Sequence, residues 1–132
     1  MKILFLCVAN SARSQMAEGL ARHYLGDQYE IYSAGSDPSQ LNPLAVEVMA
    51  EIGIDITQQF SKPIHATPTE QIDLVITLCQ DEVCPLFLKS CRREHWPFPD
   101  PANHRLDSKK QLESFRIVRD KIREKILERL SN

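Results

Sequence analysis

No apolar run in the sequence is long enough to span a bilayer, which takes about 20 residues, and no segment is repeated or of low complexity. The net charge is only −2 and no basic stripe is present, so composition leaves no footprint for nucleic acid. A secretory leader is not evident either. The first apolar run, Ile3 to Ala9 after Lys2, imitates a signal-peptide core, but it is short and leads into a segment containing Glu and Arg. It is expected as a strand. Without a secretory signal, Cys7, Cys79, Cys84 and Cys91 are not expected to form a disulfide framework. Catalytic, redox or metal-binding roles are expected instead, in the cytoplasm.

What is present fits one soluble domain, residues 1–132, with 42% apolar and 26% charged residues. Lys2 to Leu6 reads as a buried parallel strand, followed from Ser14 by apolar residues at helical spacing as far as Leu25 and a stop at Gly26. Tyr29 to Ser33 forms a second expected strand. Asn42 and Pro43 open a second helix, closed by Gly53, and Thr67 with Glu70 has the form of a capping box. Leu74 to Leu78 and Arg92 to Trp96 are the third and fourth expected strands. Ser108 opens a long last helix with Leu112, Phe115, Val118, Ile122, Ile126 and Leu130 on one face. Strands alternating with helices predict a single α/β domain around a parallel sheet, with ligands bound beyond the carboxyl ends of the strands.

Cys7 stands at one such end. The five residues that follow, Val8, Ala9, Asn10, Ser11 and Ala12, are mostly small, and small residues let successive N–H groups turn inward around a tetrahedral oxyanion. The next helix points its positive end at the same place, and Arg13 can grip two oxygens with its planar fork. Cations and a helix N-terminus also favour the thiolate, the nucleophilic form of cysteine. Ser14 is placed to give the sulfur a hydroxyl hydrogen bond.

This Cys7-x5-Arg13-Ser14 motif after the first strand resembles the low-molecular-weight tyrosine phosphatase fold. The longer run NSARSQMAEG is similar to the arsenate reductases built on that fold, and HWPFPDPA (residues 95–102) is similar to the family's acid loop. The resemblance implies a four-stranded parallel sheet of order 2-1-3-4, flanked by helices, no organic cofactor, and arsenate as substrate. Residues 2–7 and 74–79, KILFLC and LVITLC, are apolar strands that both end on a cysteine. As the neighbours the resemblance implies, they bring Cys7 and Cys79 to one sheet edge. The implied relay has Cys7 attacking arsenate, Cys79 attacking the adduct, and Cys84 resolving the resulting disulfide. Thioredoxin, or glutaredoxin with glutathione, then reduces Cys79–Cys84. The spacer between Cys79 and Cys84 is shorter than in thioredoxin-linked members, and Cys91 is the alternative resolving thiol.

Asp100, between Pro99 and Pro101 and after Trp96 and Phe98, is the expected acid, in dry surroundings near the anion. Asn10, Glu18 and Ser33 match positions that bind potassium in some family members, but Lys62 stands where those members have an aspartate; no bound metal is expected. His23 and His104 are expected to face solvent and His95 to pack with Trp96. Two other functions fit part of the sequence. One is a phosphatase hydrolysing phosphate esters through Cys7 and Asp100, although Ala102 replaces the tyrosine that true tyrosine phosphatases of this fold carry. The other is a zinc module using Cys79, Cys84, Cys91 and His95.

Overall fold

The computed structural model describes residues 1–80, 85–87, 89–103 and 105–131. Four strands, β1 (Lys2–Cys7), β2 (Glu30–Gly35), β3 (Leu74–Thr77) and β4 (Arg92–His95), form one parallel sheet in the order β2-β1-β3-β4. The helices are α1 (Arg13–Leu25), α2 (Pro43–Glu51) and α3 (Ser108–Arg129). None of the described helices is long and apolar enough to cross a membrane.

The strand sequences follow from their places in the sheet. β1 is central and covered on both faces, so every residue after Lys2 is buried and the run is continuously apolar. Ile3 and Phe5 face a large cluster shared with Met16 and Leu20 of α1, Val48 of α2 and Phe115, Val118 and Ile122 of α3. Leu4 and Leu6 face the opposite way, into a smaller cluster with Ala34, Ile72, Val75 and Phe87. β4 lies at the edge, and its sequence Arg-Arg-Glu-His leaves a charged, largely exposed rim, which protects an open sheet edge from pairing with another chain.

Helix ends obey local chemistry. Asn42 Oδ1 accepts the Leu44 N–H at 2.8 Å with Pro43 as first helical residue, and Gly53 (φ 80°) reverses the chain after α2. The N-cap of α3 is Asp107, one residue before the Ser108 start, with Oδ1 accepting from Lys110 N–H at 2.8 Å. The capping box expected at Thr67 does not form. The Thr67 hydroxyl donates instead to the Ile64 carbonyl at 2.6 Å, and only a tight turn, Thr69–Gln71, follows.

Candidate active site

The carboxyl end of β1 runs into the loop 8–12, and the loop into α1. The loop turns because Asn10 adopts the left-handed backbone conformation (φ 49°), which asparagine tolerates better than most residues. Its outward carbonyls are taken up by the chain after β2: Asp37 N–H donates to Val8 O (2.9 Å), Ser39 N–H to Ala9 O (3.0 Å) and Asn42 N–H to Ser11 O (3.0 Å). With the carbonyls fixed outward, the loop keeps its amide edge toward the cleft. Ala12, the residue before α1, offers no side-chain cap, which leaves the positive end of the helix for a ligand.

Asn10 is fully buried and holds the loop from within. Its Nδ2 donates to Ser14 Oγ (2.7 Å) and Ser33 Oγ (3.0 Å), while its Oδ1 accepts from Lys62 N–H (3.0 Å) and Gln15 Nε2 (3.1 Å). Ser61 Oγ donates to its carbonyl at 2.6 Å. Ser14 Oγ lies 2.8 Å from Cys7 Sγ. Ser14 Oγ accepts from the Asn10 amide and keeps its own proton to give to the sulfur when Cys7 is a thiolate; with the thiol, either atom of the pair can be the donor. Arg13 is buried, and its Nη1 donates to the Phe98 carbonyl at 3.0 Å, which fixes the guanidinium plane against the segment leading to Asp100.

Cys7, Ala9, Ser11, Ala12, Arg13 and Asp100 line a cleft of about 530 Å³. Of the expected loop residues, Ala9, Ser11, Ala12 and Arg13 line this cleft with Cys7 and Asp100, whereas Val8, Asn10 and Ser14 do not. The dry setting expected for Asp100 is absent. It is exposed and its Oδ1 accepts the Ala102 N–H at 3.0 Å, while Trp96 and Phe98 turn into the core, Trp96 against Phe5 with ring centres 6.1 Å apart. Ala102 also lines the cleft, where a larger side chain would wall it.

Cys79 is buried just past the end of β3 and does not line this cleft. The ladder pairs Leu6 with Thr77, and Leu78 N–H donates to Leu6 O at 2.9 Å, so Cys7 stands beside Leu78 and Cys79 is one residue further along. The two thiols share a sheet edge but are staggered. Among the described residues, Cys7, Cys79 and Cys91 form no disulfide. Cys91 is half-buried against the smaller cluster, and Cys84 lies outside the described residues, as does His104. Of the zinc set, His95 is exposed rather than packed, with Nδ1 2.7 Å from Thr77 Oγ1. Among the described residues no three metal-ligating side chains converge.

The potassium implied at Asn10, Glu18 and Ser33 does not fit this chain. Lys62 Nζ sits 3.6 Å from Glu18 Oε1, with only 13% of the lysine side chain exposed, and an ammonium at that point repels a second cation. Sequence reasoning missed the clasp by residues 37–42 and the close approach of Gly35, where a Cβ would lie 2.4 Å from Val8 O. The Ala34-Gly35 end of β2 was the one local sign of it.

A family model described as low molecular weight phosphotyrosine protein phosphatase matches residues 2–131. An arsenate reductase of Shouchella clausii is 48% identical over 91% of this chain and 88% of its own length. A solved arsenate reductase in the phosphate binding state superposes with a TM-score of 0.81 at 35% identity, covering 96% of this chain and 94% of that one. A thioredoxin-dependent arsenate reductase of Corynebacterium glutamicum superposes with a TM-score of 0.68 at 34% identity, over 93% of this chain and 58% of that one. The chain thus belongs to the low molecular weight phosphotyrosine protein phosphatase family and, within it, groups with the arsenate reductases.

Proposed function

We propose that this protein reduces arsenate to arsenite through a cysteine relay begun by Cys7. The observation that carries this is the Asn10–Ser14–Cys7 chain of hydrogen bonds at the floor of an oxyanion-shaped loop. The Ser14 proton stabilises the thiolate, and the loop amides, the α1 N-terminus and Arg13 hold a tetrahedral anion over it.

Cys7 attacks arsenic(V) and a hydroxyl of arsenate leaves as water, its proton supplied from the Asp100 side of the cleft. The Cys79 thiolate then attacks Cys7 Sγ. The sulfur–arsenic bond breaks, its electron pair stays on arsenic, and arsenite(III) departs as Cys7 and Cys79 become a disulfide. Two electrons leave the thiols and two arrive on arsenic. Cys84 attacks Cys79 Sγ and releases Cys7, and an external thiol reductant, thioredoxin or glutaredoxin with glutathione, reduces Cys79–Cys84 as its own thiols are oxidised to a disulfide. The thioredoxin dependence of the C. glutamicum relative supports the first of these. The relay belongs in a reducing compartment, the cytoplasm, where an external thiol can regenerate it.

The experiment is arsenate turnover with each reductant in Cys7→Ser, Cys79→Ser and Cys84→Ser variants, with disulfides mapped by mass. Cys7→Ser and Cys79→Ser are expected to be inactive, and Cys84→Ser to release one arsenite and stop as a Cys7–Cys79 disulfide. Full turnover without Cys79 would overturn the relay. Phosphate-ester hydrolysis at the same cleft is the second reading, favoured by Asp100 lining the same cleft as Cys7. Ala102 leaves a phenyl ring without a large side-chain wall at that position, so small oxyanions are the better fit.

A further inference from the structure

One half-buried cation next to the oxyanion loop plays no part in the relay. Lys62 Nζ lies 3.6 Å from Glu18 Oε1 and donates to the Phe60 carbonyl at 3.2 Å, with the Phe60 ring centre 4.9 Å away. Glu18 is sealed, with 3% of its side chain exposed, and its Oε2 takes Arg22 from the solvent side at 2.5 Å. The Ser33 hydroxyl donates to Glu18 Oε1 and accepts from Asn10 Nδ2. The backbone N–H of Lys62 donates to Asn10 Oδ1. Both ends of the Asn10 amide are thus held by one lysine: the oxygen directly, the nitrogen through Glu18 and Ser33. That amide is the group that aims Ser14 at Cys7.

A carboxylate taken this far out of water calls for cations beside it. Arg22 neutralises one oxygen from a side chain that is 52% exposed, and the interior oxygen, the one that orients Ser33, has Lys62. Burial pushes the Lys62 pKa down and the Glu18 charge opposes that fall, as expected for a half-buried ammonium beside its counter-ion. Were the lysine removed, the inner oxygen of Glu18 would be left without its cation and free to turn. Ser33 would lose its acceptor and Asn10 its fixed orientation.

We propose that Lys62 is a positioning residue, a built-in cation that sets the oxyanion loop through Glu18, Ser33 and Asn10 and makes an alkali-metal ion unnecessary in this chain. The proposal rests on Cys7 and its loop being the oxyanion site. It is read out by phosphate binding, which needs no relay, so a failed relay and a failed positioning role are told apart.

The test measures inorganic phosphate affinity by calorimetry, and arsenate KM and kcat, in potassium, sodium and choline chloride at one ionic strength. For the wild type, all three salts are expected to give the same phosphate affinity within about twofold, against the roughly 5- to 150-fold span of ordinary site–site coupling. Lys62→Gln is expected to bind phosphate about tenfold more weakly in choline, to raise KM more than it lowers kcat, and to recover much of the loss in potassium. Lys62→Arg, which keeps the charge, is expected to keep most of the affinity. A wild type that binds phosphate several-fold tighter in potassium would overturn the proposal. So would a folded Lys62→Gln with full affinity in choline, or Lys62→Arg as impaired as Lys62→Gln. Should Lys62→Gln not fold, the wild-type salt series and Lys62→Arg still decide.

Discussion

At Gly35 a single methyl would press on three backbone atoms of the neighbouring strand end and loop: Val8 O at 2.4 Å, Asn10 N at 2.9 Å and Cys7 O at 3.0 Å. None of these is a flexible side-chain tip, so the loop itself would have to move. Gly35→Ala is expected to lose about 1–3 kcal/mol of stability, the usual cost of overpacking. It should also lose phosphate affinity out of proportion, because the atoms displaced are those that shape the anion nest. Urea unfolding and phosphate titration of the same sample check both halves; unchanged phosphate binding would show that the loop tolerates the shift. Arg13 offers a second residue-level expectation. Lysine there keeps a charge but not a planar fork, so Arg13→Lys should raise arsenate KM markedly while leaving the melting temperature near that of the wild type. Steady-state kinetics and a thermal melt measure it.

The helices are joined by a charged clamp rather than by apolar packing alone. Arg119, largely buried on α3, donates to the Val48 carbonyl of α2 at 2.8 Å and to Glu51 Oε1 at 2.9 Å, and Arg116 holds Glu51 Oε2 at 2.6 Å. The carbonyl and carboxylate both lie toward the C-terminal end of α2, where a cation is favoured. Arg119→Ala is expected to cost about 1–3 kcal/mol through the carbonyl left buried without its donor, with arsenate turnover retained at temperatures where the variant stays folded. Hydrogen bonds from Arg116, and then Arg119, hold the Glu51 carboxyl below its usual 4.5 against the opposing effect of burial. A carboxyl with a lowered folded pKa stabilises the protein above its unfolded value. That contribution disappears as pH falls below about 4.5 and through the folded value. Glu51→Gln should therefore be less stable than wild type near neutrality, and the gap should close on acidification through that range. Denaturation curves at stepped pH follow it; a gap that is constant with pH would assign the loss to packing.

The sheet order places β1 between β2 and β3, so the loop after β1 is fastened by three separate stretches of chain. Residues 37–42 take its carbonyls, residues 61–62 bind Asn10, and the Phe98 carbonyl holds Arg13. A ligand that binds this loop binds only the folded molecule. Phosphate at about 100 times its dissociation constant should therefore add about 2.7 kcal/mol and raise the melting temperature by several degrees, and Arg13→Ala should lose most of that rise. Differential scanning calorimetry with and without phosphate measures it, and an equal rise in Arg13→Ala would place the anion elsewhere.

The sequence by itself determined what depends on neighbours along the chain. Continuous apolar runs marked β1 and β3, helical spacing and end signals marked α1, α2 and α3, and Cys7 through Ser14 marked the anion loop, because strand burial, helix periodicity and capping act over a few residues. Family likeness supplied the strand order. Tertiary structure alone decided that Gly35 and residues 37–42 brace the loop, that Lys62 answers Glu18, that Asp100 stands in solvent, and that Cys79 falls one step beyond Cys7. These outcomes join residues some 20 to 85 positions apart, as Arg13 to Phe98 does, and are fixed by sheet register and by the need of every buried polar group for a partner. Neither leaves a periodic trace in the chain.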